Sequence, residues 1–199
     1  MHCFVDAQAQ RLHDFRGKRK LQQLASATRL FLQRSFLNMP VEVKAVDFED
    51  PIQADDLVSL LDHYSCDPMI SGKPLDDSIK QCVVEEMNRR PHVGSAIVYV
   101  DDQPAGLINF AEGFSTFNAK SLMNIHDVVV HRDYRGRGLS RKLFEFVESE
   151  AMRRDCCKVT LEVLGGNDVA KSAYRNFGYA AYRLSHDTGV AEFWEKKIL

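Results

Sequence analysis

Residues 127–141 read Asp-Val-Val-Val-His-Arg-Asp-Tyr-Arg-Gly-Arg-Gly-Leu-Ser-Arg. Val128, Val129 and Val130 form a short β-branched run that reads as a buried strand. A turn rich in charge and glycine follows, Arg135-Gly136-Arg137-Gly138. Leu139, Leu143, Phe146 and Val147 then recur at helical spacing. Strand, glycine turn and helix N-terminus line up backbone N–H groups in one direction, and the helix dipole adds partial positive charge. The chemistry this suits is anion binding, a pyrophosphate above all. A P-loop would need Gly-x-x-x-x-Gly-Lys-Ser/Thr, which is absent, and a dinucleotide fingerprint would need glycine where Arg141 stands.

A second segment carries chemistry, Asn167-Asp-Val-Ala-Lys-Ser-Ala-Tyr174-Arg-Asn-Phe-Gly178-Tyr179. It reads as a helix over 168–177 closed by a left-handed cap at Gly178. Arg135-Gly136-Arg137-Gly138-Leu139-Ser140 resembles the Arg/Gln-x-x-Gly-x-Gly/Ala signature of the GNAT superfamily of N-acetyltransferases, with Ser140 replacing the usual last residue. The second segment resembles that superfamily's Asn-x-x-Ala-x-x-x-Tyr-x-x-x-Gly-Phe/Tyr. The resemblance runs from Val41 to the C-terminus. It implies acetyl-coenzyme A as co-substrate, with its pyrophosphate on the backbone of residues 136–141. It places Asn167 beside the pantetheine and Tyr174 near the thioester sulfur as general acid. It also implies an oxyanion donor at a backbone N–H near Val129 or Val130, where pantetheine pairs like an added strand.

Acetyl transfer to an amine requires proton removal, because a primary amine titrates near pH 10.4 and is mostly protonated at neutrality. Two bases are open. Glu162 lies in Leu161-Glu162-Val163, 12 residues before Tyr174, as in ribosomal-protein N-terminal acetyltransferases. His126 precedes Asp127 where spermidine/spermine acetyltransferases carry a Glu-Asp pair, and a neutral imidazole is a competent base. Phe114-Ser115-Thr116-Phe117 is similar to a turn in diamine and thialysine acetyltransferases. With Glu112, Asp127 and Glu162 it favours a small cationic amine, through Coulomb attraction and cation–π contact. Ser115, Thr116 and Asp127 are the candidate acceptor contacts. No His/Cys cluster suggests a metal.

The 199 residues suffice for one well-cored domain. A net charge of −2 gives no argument for nucleic acid or membrane binding. No apolar run is long enough to span a bilayer, and the first residues lack the apolar core of a secretory signal. The five cysteines include no Cys-x-x-Cys pair. They read as reduced, small apolar fillers of a cytoplasmic protein. Relatives in the superfamily are often dimers, which admits a homodimer here.

Two domains are expected: an extension over 1–38 and the acetyltransferase domain over 39–199. The extension carries seven basic and two acidic residues, and its spacing predicts a basic amphipathic helix over 19–37. It reads as a docking helix, as the product of an early start codon before Met39, or as a transit peptide. Beyond it, strands are predicted at 41–46, 94–100, 104–111, 121–130, 158–164, 180–184 and 190–197. Helices are predicted at 51–63, 75–90, 138–154 and 168–177. The expected fold is therefore α/β: a mixed, splayed central sheet of GNAT type with helices on both faces, plus the extra N-terminal helix.

Overall fold

The computed structural model describes residues 39–185, 187 and 189–198. The basic helix expected over 19–37 lies outside them. Residues from Val41 onward form one compact unit.

Strand β1 (Val41–Ala45) leads through Asp50 into helix α1 (Pro51–Ser65). Asp50 caps that helix by accepting the Ile52 N–H at 2.9 Å, and Pro51 gives up no hydrogen bond in the first turn. Helix α2 (Asp77–Asn88) follows, then β2 (Val93–Val100) and β3 (Gln103–Ser115). The β2–β3 turn holds Asp101 and Asp102 at φ of 53° and 58°, the left-handed pair that a tight hairpin needs. Strand β4 (Lys120–Val130), a 3₁₀ turn (Arg132–Tyr134), α3 (Leu139–Arg153), β5 (Val159–Leu161) and α4 (Asp168–Asn176) complete the order.

The sheet runs β1-β2-β3-β4-β5, antiparallel except for the parallel β4–β5 pair. One face packs on α1 and α2 through Leu57, Leu60, Ile97, Tyr99, Leu107 and Val129. The other packs on α3, where Leu143, Phe144 and Val147 are almost completely buried. Helices thus cover both faces, as the mixed pattern predicts.

Three expectations need correction. The strand expected over 158–164 pairs only at 159–161, because the chain leaves the ladder before Gly165-Gly166. The two C-terminal strands are not formed among the described residues. Leu184, Phe193 and Trp194 there face solvent, so alternation in the sequence meets no surface to bury against. Cys66 and Cys82 are exposed rather than core fillers.

Candidate active site

The parallel β4–β5 ladder pairs Met123, Asn124 and Ile125 with Val159, Thr160 and Leu161, then stops. Beyond it the two strands part, opening a splay beside residues 126–130. A bulge marks the same point. Asn109 faces Asp127 and Phe110 faces Ile125, so His126 is an extra residue in β4. The bulge keeps Asn124 and Asp127 on one face of the sheet although they are three positions apart. Asn124 donates to Thr160 Oγ1 and to Glu162 Oε1, each at 3.1 Å, so Glu162 shares that face, the one covered by α1. His126 is exposed on the bulge.

Backbone alternation sorts the valines. His131 N–H donates to the Ala105 carbonyl at 2.9 Å. Groups two residues apart point the same way, so the Val129 N–H faces β3, while those of Val128 and Val130 face the splay. The sequence left Val129 and Val130 as equal candidates for an oxyanion donor. The ladder gives that direction to Val130, with Val128 beside it.

The glycine turn sits at the end of the splay. Gly136 and Gly138 have φ of 78° and 73°, the left-handed region that a side chain disfavours. Gly138 is the N-cap of α3 and no side chain caps that helix. The N–H groups of Leu139, Ser140 and Arg141 therefore have no intrahelical partner. A Cβ built on Gly136 or Gly138 would meet no atom within 4 Å, so the cradle is open. This donor set and this room fit a diphosphate.

The side chains of the loop serve its shape. Leu139 is buried in the core. Arg135 Nε donates to the Val130 carbonyl at 3.1 Å, and its Nη2 pairs with Asp67 at 3.3 Å. Arg137 donates to the Asp133 carbonyl and lies over the Tyr134 ring. Arg141 reaches the Asn176 carbonyl and covers the Phe177 ring, so its contribution to an anion site is its backbone N–H.

Helix α4 brings up Tyr174. Its ring packs on Phe144 with centroids 5.5 Å apart. Burial pushes its hydroxyl above the usual tyrosine range, so it holds its proton at neutral pH. Asn167 uses its Oδ1 to cap α4, accepting the Ala170 N–H at 3.0 Å. The resemblance puts Asn167 beside the pantetheine; the cap uses one lone pair of its oxygen and leaves its amide NH₂ for such a contact.

Sequence reasoning missed Tyr64 and His63, both near the end of α1. Burial, together with the charge of Asp127 and the nearness of Tyr174 and Asp67, pushes the Tyr64 hydroxyl up to about 12. Tyr64 thus sits among the site groups. Extending the Leu57–Leu61 stripe by one turn reaches it, a signal present in the sequence and unused. His63 accepts the Arg132 N–H at 3.3 Å and stacks on His131 with ring centroids 4.1 Å apart. No spacing rule announces that pair.

Other candidates lie elsewhere. Ser115 pairs with Lys120, six residues before the bulge, so Ser115 and Thr116 are roughly 20 Å along the strand from the splay. The Ser115 hydroxyl accepts from Asn118 at 3.0 Å. Glu112 is not an acidic wall of the site. Ser121 and Arg154 hold its carboxyl below the usual range, on the α3 side of the sheet. A surface cavity is lined by Glu148, Val159, Phe177, Gly178, Tyr179 and Ala180, where the Tyr179 hydroxyl donates to Glu148, and none of the candidate groups lines it. Among the described residues no group of three His, Cys, Asp or Glu could hold a metal ion, and no helix is long and apolar enough to cross a membrane.

Known proteins share this architecture. A ribosomal-protein-alanine N-acetyltransferase from Brucella melitensis biovar Abortus 2308 superposes with a TM-score of 0.59 at 19% identity, covering 77% of this chain and 100% of that one. An aminoglycoside N-acetyltransferase in complex with CoA gives 0.64 at 15% identity, covering 80% and 97%. At such identities the likeness speaks for the fold. A curated acetyltransferase from Sodalis glossinidius (strain morsitans) is 42% identical over 50 residues, 25% of this chain and 35% of that relative. This chain therefore aligns with only about a third of the curated relative's length. The model of the Acetyltransferase (GNAT) family matches residues 57–179. That match takes in the second half of α1, the splay, the glycine turn and Tyr174, and on it the chain belongs to the Acetyltransferase (GNAT) family.

Proposed function

We propose that the protein is an N-acetyltransferase that moves the acetyl group of acetyl-coenzyme A to a small cationic amine, by direct attack in a ternary complex. The observation that carries this reading is convergence. One splay gathers outward N–H groups on β4, an uncapped helix N-terminus and a half-buried tyrosine that keeps its proton. When bound, acetyl-coenzyme A supplies the thioester carbonyl and the thiol leaving group.

The protein's own residues do the rest. N–H groups of residues 136–141 hold the diphosphate through the α3 dipole. The Val130 N–H, with that of Val128 beside it, donates to charge developing on the carbonyl oxygen. Tyr174 protonates the departing sulfur, a thiolate that titrates near pH 8.5 when unperturbed. Glu162 takes the proton from the amine, directly or through water. Both carboxylate and imidazole are exposed, but the Asn124 amide holds Glu162 on the α1 face that Asp127 shares, whereas His126 is the extra residue of the bulge, and this favours Glu162. Asp127 attracts the ammonium form of the acceptor.

The test is thiol release from acetyl-coenzyme A across polyamines, amino acids, aminoglycosides and N-terminal peptides, with mass spectrometry of the product. Amine-dependent release and an acetylated amine are expected. Coenzyme A binding without amine-dependent release would instead make the chain a coenzyme A-binding module.

A further inference from the structure

Three strands share one polar connection. Ser95 on β2 pairs with Asn109 on β3, and Asn109 pairs with Asp127 on β4. The Ser95 hydroxyl donates to Asn109 Oδ1 at 2.6 Å, and Asn109 Nδ2 donates to Asp127 Oδ2 at 3.1 Å. Ser95 is 3% exposed and Asn109 is 5% exposed, among the few polar side chains buried in the described residues. Buried polar groups in a sheet of apolar side chains cost stability unless they are paired. Two apolar residues would fill these positions with less risk. The connection also has a direction. With its oxygen occupied by a hydroxyl donor, the Asn109 amide turns its NH₂ toward Asp127 and cannot offer a carbonyl instead. Asp127 ends this connection, just past the last β4–β5 pair, and its charge is felt by the Tyr64 hydroxyl of α1.

We propose that Ser95 and Asn109 are positioning residues that fix the Asp127 carboxylate at the splay, so that it receives the acceptor's ammonium group. This rests on the acetyltransferase reading and adds to it which buried groups set acceptor affinity. A carboxylate oxygen tied by one donor keeps its rotamer, while its other oxygen remains to accept from the ammonium. Without the Ser95 donor the amide can turn, and its carbonyl would then face the carboxylate. The ammonium would meet a carboxylate of undefined direction.

The experiment compares wild type, Ser95→Ala, Ser95→Thr and Asn109→Leu, first alone and then with Asp127→Asn. Amine KM, kcat, coenzyme A affinity by calorimetry and thermal midpoint are measured on the full chain. Amine affinity is also read by calorimetry at saturating coenzyme A. Ser95→Ala should raise amine KM roughly tenfold, the loss of about one hydrogen bond's worth of positioning, with coenzyme A affinity unchanged. Ser95→Thr should restore it, because the hydroxyl returns. With Asp127→Asn present, Ser95→Ala should add nothing, since residues that act through one group are not additive. An unchanged KM in Ser95→Ala would overturn the proposal. So would a parallel loss of coenzyme A affinity, or a further loss of amine affinity on the Asp127→Asn background. Should Asn109→Leu fail to fold, the Ser95 pair still decides. Absence of amine-dependent thiol release in the wild type would instead sink the acetyltransferase reading itself.

Discussion

At the scale of single residues, the account depends on where charge sits. Ser140 occupies the first turn of α3, where no side chain caps the helix. Ser140→Asp should leave the thermal midpoint unchanged or slightly higher, because a carboxylate there suits the helix dipole. The same carboxylate would repel a diphosphate, and coenzyme A affinity should fall by at least about tenfold, since like charges a few ångströms apart cost more than 1 kcal/mol near a surface. Calorimetry and melting together separate these effects, which plain destabilisation would not. This substitution probes the anion site better than any at Gly138, where φ of 73° would strain a side chain whether or not a ligand comes near. The base is tested in the same spirit. Glu162→Gln should lower kcat by roughly 10²-fold or more, and His126→Gln by far less. Equal kcat in both variants would send the proton elsewhere.

At the scale of elements, β3 and β4 must lie close for the β4 edge to present its N–H groups. Gly106 permits that approach: a Cβ there would come 2.7 Å from the Val129 carbonyl oxygen and 3.1 Å from Val98. Gly106→Ala should cost about 1–3 kcal/mol, as overpacking typically does, read from urea unfolding. The end of α1 meets the start of the glycine turn through His63. Burial, then His131, Arg132 and Arg135, push its imidazole below the usual histidine range, with Asp133 opposing. A histidine depressed in the fold is neutral there and takes up its proton more readily when unfolded. Its contribution is therefore present above about pH 6.5 and lost as pH falls below it. The urea midpoint should drop on acidification through that range, and His63→Gln should remove part of the drop. Much of this level was legible beforehand. Pro51, Gly138, Gly178 and the Asp101-Asp102 turn punctuate the elements where local chemistry demands. The bulge at His126 was not legible, because it is a register mismatch between two strands and leaves no mark in either alone. Nor was the capping of α4 by the Asn167 side chain.

At the scale of the molecule, the site exists because one sheet parts between two parallel strands and each flank delivers a different tool. The α1 face brings Tyr64, Asp127 and Glu162. The α3 face brings the helix N-terminus and, through Phe144, Tyr174. The short motifs pointed to the α3 flank in the sequence, whereas the α1 flank, the acceptor side, was poorly legible. Ser115 and Thr116 share a hairpin with the site and lie far along it, whereas Tyr64 arrives from a helix more than 60 residues upstream of Asp127. Tertiary packing, not spacing, decides such neighbours. The central claim is that this convergence transfers an acetyl group with Tyr174 as the acid. It is tested by thiol release from acetyl-coenzyme A, with and without amine, in wild type and Tyr174→Phe, with coenzyme A affinity measured alongside. The account predicts amine-dependent release that falls roughly 10²-fold in the variant while coenzyme A binding holds. Release at the parent rate in Tyr174→Phe would contradict it.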